Sequence, residues 1–318
     1  MREIVEAHPI NRRLCNRIGD DAALWQPSRS HRCVVTTDAL VENRHFRRAT
    51  MPLFDVGWRA MTANLSDLAA SGARPVLATV ALGLPERFTA DELQELYRGM
   101  LQIASKHGCA IAGGDTTRAG ELFISITAIG EVRPSNVKGR GGALPGDVLA
   151  VTGPLGASRA GLHLADDPVL LRGDVAAEAQ AAHATPQPRV AEGRWLAASA
   201  NVHAMMDLSD GLSTDLPRMC AASRCGAAID DVPVAPSAAE AARARGEDPA
   251  AYALAGGEDF ELLIAVNARA FRHLSERFYK RFRRPLHRVG LARQGSGIVR
   301  VKGGAEEALA ATGWDPFR

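Results

Sequence analysis

The first half of the chain alternates short β-branched or apolar runs with helical stretches, and this alternation limits the possible folds more than any other feature. HRCVVTTDAL, RPVLATVALGL, CAIAGGD and LFISITAIGEV read as strands, while DVGWRAMTANLSDLAASGA and TADELQELYRGMLQIASKHG read as helices. Interleaving of this kind defines an α/β or α+β unit. In the second helix Thr89 is the N-cap, acidic residues fill the first turn, Leu93, Leu96, Met100 and Ile103 share one face, and Gly108 is the C-cap. After Val132 the segment RPSNVKGRGGALPGD breaks the pattern with Gly, Pro and basic residues, and VLAVTGPLG starts a fresh strand before a long alanine-rich helical region. A domain boundary near Lys138 to Pro145 follows. The 318 residues accommodate two domains of about 150 each, placed here at 1–137 and 138–318. The second contains LLIAV, the helix FRHLSERFYKRF and a closing strand near GIVRV.

Lys+Arg 38 against Asp+Glu 36 leaves a net charge of only +2, so no global field favours nucleic acid or a membrane surface. A small-molecule substrate is the expected partner. The one local charge excess runs from Arg269 to Arg288, where Phe271, Leu274, Phe278 and Phe282 recur at helical spacing. This reads as an amphipathic surface helix with an arginine-rich outer face, and a nucleic-acid patch is the sharper alternative. Five cysteines (Cys15, Cys33, Cys109, Cys220, Cys225) form an odd set without a CxxC pair, which argues against a disulfide framework or a zinc site. The N-terminus MREIVEAHPINRR lacks the apolar core of a leader, and no run approaches the roughly 18 apolar residues of a membrane helix. A cytoplasmic protein is expected.

Aspartates recur in short Gly/Ser/Thr-rich turns, most of them beside expected strand ends: IGDDAALW (Asp20, Asp21), TTDAL (Asp38), NLSDLAASGA (Asp67), AGGDTTR (Asp115), MDLSDGLSTDL (Asp207, Asp210) and AGGEDFELL (Glu258, Asp259). One such acid is usually a turn former or a helix cap. Six clusters in one chain exceed what turns require. GGD and SDG also set a carboxylate beside flexible backbone that can approach a phosphate and offer it N–H groups. Hard carboxylate and hydroxyl oxygens suit magnesium, which works on substrate phosphates with one or two carboxylates per ion plus water. A polynuclear metal and nucleotide site is therefore expected. The chain has no GxxxxGK[ST], no GxGxxG between strand and helix, no GxSxG, and no HRD with DFG, which excludes the Walker and protein-kinase folds.

As an ordered set, IGDDAA, TTDALVENRHF, NLSDLAASGA, GGDTTR, LPGD followed by VTGPLG, DLSDGLSTDL and GGEDFELL resemble the thiamine-monophosphate kinases of the aminoimidazole-ribonucleotide-synthase-like superfamily. The resemblance runs from about Ile18 to the terminal GWDPF. Two departures are visible: Glu42, Asn43 and Arg44 stand where a glycine-containing turn is usual, and Thr62 replaces a usually apolar residue. The resemblance implies a two-lobed fold, with an N-terminal ATP/Mg-binding and dimerisation domain and a C-terminal α/β domain that closes over the substrates. It further implies a homodimer, several Mg2+ ions, and ATP and thiamine monophosphate as substrates. By the same resemblance, Asp21, Thr36, Thr37, Asp38, Asp67, Asp115, Asp207 and Asp210 are metal ligands, Thr36 and Thr37 in part through backbone oxygens. Gly114, Asp115, Arg140 and Ser209 contact ATP, while His45, Glu258 and Trp314 hold the acceptor.

The residues alone leave other roles open. Asp20 also reads as a turn or capping residue, His45 in RHFRR as a surface histidine, Trp314 as a core anchor, Glu258 as a helix cap and Asp259 as structural. The acceptor phosphate has a second pKa of about 6, so its nucleophilic oxygen is deprotonated at pH 7 and no protein base or nucleophile is expected. Direct in-line transfer follows from that. Another ATP-using superfamily member, such as selenophosphate synthetase, is the nearest alternative, and a non-catalytic nucleotide or metal sensor is the alternative of another class. Selenophosphate synthetase needs a reactive Cys or selenocysteine in a mobile loop. Cys15 in NRRLCNRIGD lacks glycine-rich surroundings and is expected to be buried.

Overall fold

A computed structural model describes Leu14, Cys15 and residues 22–313, and the chain divides into two compact units between Val137 and Lys138. The N-terminal unit runs β1 (Arg32–Val41), α1 (Leu53–Ala70), β2 (Arg74–Leu84), α2 (Ala90–Lys106), β3 (Ala110–Arg118) and β4 (Phe123–Val132). Its sheet has the order β1-β4-β2-β3. β2 and β3 are parallel, as a strand–helix–strand crossover requires, and the other pairs are antiparallel.

The α2 N-terminus closes with a capping box, Thr89 Oγ1 accepting from the Glu92 N–H at 3.2 Å and Glu92 Oε2 from the Thr89 N–H at 2.7 Å. Leu96, Met100 and Ile103 are buried, with Leu93 half-buried at the rim. His107, rather than Gly108, is the C-cap. Gly108 follows at φ 69°, the left-handed residue that terminates the helix. α1 and α2 meet backbone to backbone: a Cβ on Gly57 would fall 2.0 Å from Leu96 O, and one on Gly99 would fall 1.9 Å from Phe54 O. Along β1, Cys33, Val35, Thr37 and Ala39 are exposed while Thr36 and Asp38 are half-buried and Leu40 is buried. This period-2 pattern belongs to a sheet with one covered and one open face.

The C-terminal unit contains β5 (Val148–Val151), α3 (Ala157–Asp166), α4 (Gly173–Ala184), α5 (Val190–Ala197), β6 (Val202–Asp207), α6 (Leu212–Ser223), β7 (Gly226–Ile229), α7 (Pro236–Ala244), α8 (Pro249–Leu254), β8 (Leu262–Val266), α9 (Ala268–Phe282), β9 (His287–Arg293), β10 (Ile298–Lys302) and β11 (Ala305–Ala308). A seven-stranded sheet takes the order β11-β10-β7-β9-β5-β8-β6. Central strands β5 and β8 are buried throughout, matching their continuous apolar sequences. The arginine-rich run divides: α9 buries Leu274 and Phe278, and the remaining residues lead into β9. Cys15 is exposed, contrary to expectation. It lies beside the isolated bridge from Leu14 to Trp25, and its N–H donates to Leu24 O at 2.6 Å.

Candidate active site

In the N-terminal unit, Thr36 and Asp38 stand two residues apart on β1 and therefore face the same side. The Thr36 hydroxyl donates to Asp67 Oδ2, and Asp67 lies near the C-terminal end of α1. The helix-covered face thus carries a hydroxyl and two carboxylates. Thr37 turns the other way: its hydroxyl donates to Ile126 O at 3.1 Å and accepts from Thr127 Oγ1 at 3.2 Å. A role for Thr37 beside Asp38 is left to its backbone.

The sheet does not bring Asp115 next to Asp38. Register aligns Asp38 with Ile126, Val80 and Gly114, while Asp115 falls in the adjacent row with Ala81, Ser125 and Ala39. Adjacent rows face opposite sides, and β1 and β3 are separated by three strand spacings, roughly 14 Å. Asp115 is exposed, and its Oδ1 accepts from the Thr116 N–H at 2.9 Å. Gly114 has a local reason to be glycine: at φ 155° a Cβ would sit 1.9 Å from Val80 O.

His45 occupies an exposed turn after β1, its Nδ1 accepting from the Val41 N–H at 3.1 Å. Asn43 supplies the left-handed residue of that turn, φ 64°, a conformation asparagine tolerates better than most. Glu42 turns inward to accept from Arg48 Nε at 2.7 Å and the Leu122 N–H at 3.2 Å. The unusual Glu42–Asn43–Arg44 sequence is accommodated without glycine.

In the C-terminal unit, the DLSDG and GGEDF segments pair through their backbones. Leu208 N–H donates to Glu261 O at 2.8 Å, Glu258 N–H to Ser209 O at 2.8 Å, and Phe260 N–H to Leu208 O at 3.1 Å. Ser209 and Glu258, expected on ATP and acceptor respectively, are thereby brought together. Glu258 and Phe260 adopt φ 61° and 49°, strained values for side-chain-bearing residues. Asp259 between them is half-buried, accepting from the N–H groups of Gly156 at 2.7 Å and Ser158 at 3.2 Å at the start of α3, as its structural reading expects. Burial pushes its carboxyl up to about 7 against the opposing pull of those two donors.

Asp207 is buried at the end of β6, and Asp210 is held from two directions. Its N–H donates to Asp215 Oδ2 at 2.9 Å, and Arg218 Nη1 donates to Asp210 Oδ2 and, at 2.8 Å, to Asp215 Oδ1. Burial pushes the Asp215 carboxyl up to about 6. Asp215 and Arg218 were not singled out in the sequence, where their i, i+3 spacing on α6 was the available signal. Arg140 is exposed, and its carbonyl accepts from Ser223 Oγ at 3.0 Å. Asp20, Asp21 and Trp314 lie outside the described residues. Just before Trp314, Gly313 N–H donates to Thr214 Oγ1 at 3.1 Å and Thr312 N–H to Ser213 Oγ at 3.3 Å, bringing this segment beside Asp210.

Among the described residues no three His, Cys, Asp or Glu side chains gather into a metal cage. The candidate donors are carboxylate and hydroxyl oxygens, with no thiolate or imidazole among them. That set suits magnesium held by one or two carboxylates per ion with water and phosphate, and does not suit zinc or copper.

A family profile described as AIR synthase related protein, N-terminal domain, matches residues 19–132, and its C-terminal counterpart matches 145–312. The chain belongs to the AIR synthase related family. It is 40% identical over 255 residues to the thiamine-monophosphate kinase of Synechococcus elongatus, covering 78% of this chain and 76% of that one. The crystal structure of the Stenotrophomonas maltophilia K279a thiamine-monophosphate kinase aligns with a TM-score of 0.83 at 35% identity, covering 92% of this chain and 93% of the other. A solved structure of AaThiL complexed with AMPPCP and TMP aligns with a TM-score of 0.80 at 27% identity over 91% and 89% of the two chains. Within its family, the chain is a member of the thiamine-monophosphate kinases.

Proposed function

We propose that this protein transfers the γ-phosphoryl group of ATP to the phosphate of thiamine monophosphate, giving ADP and thiamine diphosphate, the final step in making that cofactor. The observation that carries the reading is likeness over about nine-tenths of the chain to a protein solved with AMPPCP and TMP. The acceptor phosphate arrives deprotonated at neutral pH. The chain therefore needs to position two anionic substrates rather than activate a nucleophile, and transfer proceeds in line without a phosphoenzyme.

Asp21, Thr36, Thr37, Asp38, Asp67, Asp115, Asp207 and Asp210 hold magnesium, Thr37 through its backbone. When bound, magnesium supplies the positive charge that offsets repulsion between the two polyphosphates. Gly114, Asp115, Arg140 and Ser209 contact ATP, the exposed Arg140 offering a forked cation to phosphate oxygens. His45, Glu258 and Trp314 hold the acceptor, with Trp314 facing the cationic thiazolium through cation–π attraction. The open face of the N-terminal sheet, where Val35 is 62% exposed, is the homodimer surface. A stretch of exposed β surface with an apolar side chain this accessible suits a second copy. Among the described residues no helix is long and apolar enough to cross a membrane.

The deciding assay supplies ATP, Mg2+ and either thiamine monophosphate or thiamine and quantifies ADP and thiamine diphosphate. Turnover of the monophosphate with little use of the alcohol is expected, because an alcohol needs a general base. Efficient phosphorylation of thiamine with none of the monophosphate would overturn the reading.

A further inference from the structure

Arg218 makes a contact that the phosphoryl-transfer reading leaves unexplained. From α6 its Nη1 donates both to Asp210 Oδ2 and to Asp215 Oδ1, and the Asp215 side chain is fully buried. Asp215 in turn fixes the Asp210 backbone through the 2.9 Å bond from the Asp210 N–H. Asp210 thus cannot swivel freely, and one of its two carboxylate oxygens is engaged. No described residue hydrogen-bonds its Oδ1.

We propose that Arg218 determines which divalent cation Asp210 accepts: by reserving Oδ2 it leaves Oδ1 alone for coordination, which suits magnesium and disfavours calcium. The inference rests on Asp210 being a metal ligand, as the proposed function has it. Calcium takes six to eight oxygens and readily chelates both oxygens of one carboxylate, whereas magnesium keeps an octahedral shell of single oxygens and waters. A guanidinium remains charged at every accessible pH, so the reservation does not lapse. Arg218 is accordingly a specificity-determining residue that acts through Asp210 and touches no substrate itself.

The test uses the full chain and the metals alone, Mg2+ or Ca2+, in calorimetric titrations checked by metal-induced shifts in melting temperature. Four proteins are compared: the parent, Arg218→Met, Arg218→Lys and Asp210→Asn. Arg218→Met is expected to raise calcium affinity about tenfold and magnesium affinity clearly less, since only calcium exploits the freed oxygen. Arg218→Lys, which keeps a cation at Oδ2, stays near the parent ratio. Equal changes for both ions in Arg218→Met, or a fall in both, overturn the selectivity role. If Asp210→Asn binds both ions as the parent does, the ligand assignment itself fails, and with it the inference. Should Arg218→Met fail to fold, Arg218→Ala takes its place under the same criteria: a rise in calcium affinity clearly above that for magnesium upholds the proposal, and equal changes overturn it.

Discussion

The carboxylate of Asp259 accepts a 2.7 Å hydrogen bond from the backbone N–H of Gly156, so the GGEDF turn is anchored by a half-buried acid at the start of α3. This contact holds the two left-handed residues Glu258 and Phe260 on either side of it, and through them the direction in which Glu258 leaves the backbone.

The anchor predicts a pH signature. Burial raises the Asp259 carboxyl to about 7 from an ordinary value of 3.8, so between those values the folded chain holds a proton that the unfolded chain has lost. The stabilisation is full below about pH 4 and disappears as pH rises through about 7. Asp259→Asn removes this term. Relative to the parent, its melting temperature should improve from pH 5 to about pH 7 and level off above that. An offset constant across that range would show that Asp259 does not titrate in this window.

Glu261 behaves oppositely. Burial alone would raise its carboxyl, but Arg189 and Arg284 outweigh burial and hold it below the usual range. Arg189 Nε and Nη2 donate to it at 2.9 and 2.7 Å, Arg284 Nη2 at 2.7 Å and Thr152 Oγ1 at 2.6 Å. Glu261→Gln leaves two arginines facing a neutral amide, a loss of about 3–5 kcal/mol. Urea unfolding measures it, and a loss below about 1 kcal/mol would mean that water replaces the partner.

Asp38 and its neighbour on the same face, Thr36, separate charge from orientation. Asp38→Asn should lower kcat by about a hundredfold or more while the chain still folds, the scale of losing one transition-state electrostatic partner. Thr36→Val keeps shape but removes the donor to Asp67. A smaller loss, roughly tenfold, is expected. Circular dichroism alongside initial rates checks both, and near-parental kcat in Asp38→Asn would remove it from the ligand set.

Local periodicity made most elements legible. The two-residue alternation of β1 and the apolar stripe of α2 are intrinsic to their own segments, and the Gly/Pro-rich stretch after Val132 coincides with the change of unit. What depends on pairing between distant segments was not legible. TTD reads as three consecutive candidate donors, yet strand pleating sends the Thr37 hydroxyl to Ile126 and Thr127, away from Asp38. GGD reads as a phosphate-approaching loop, yet it lies within the edge strand β3, whose distance from β1 is set by sheet order. Arg218 carried no signal beyond helical spacing, because its bond to Asp210 depends on how the preceding turn is held by Asp215. In β9 and β11 the sequences HRVGLAR and AEEA lack the apolar alternation that revealed the earlier strands; β9 is stabilised by neighbours on both sides and β11 by its pairing with β10.

The close approach of Gly114 to Val80 makes β3 sensitive to length as well as to residue type. Deleting one residue from Ala110–Gly113 would advance Asp115 into the position now filled by Gly114, placing a Cβ where the Val80 carbonyl stands and shifting the carboxylate out of its present row. Related chains should therefore vary freely in the loops around this strand while keeping the count between the start of β3 and its aspartate fixed, so that the spacing is a more durable mark of the site than the residues that fill it.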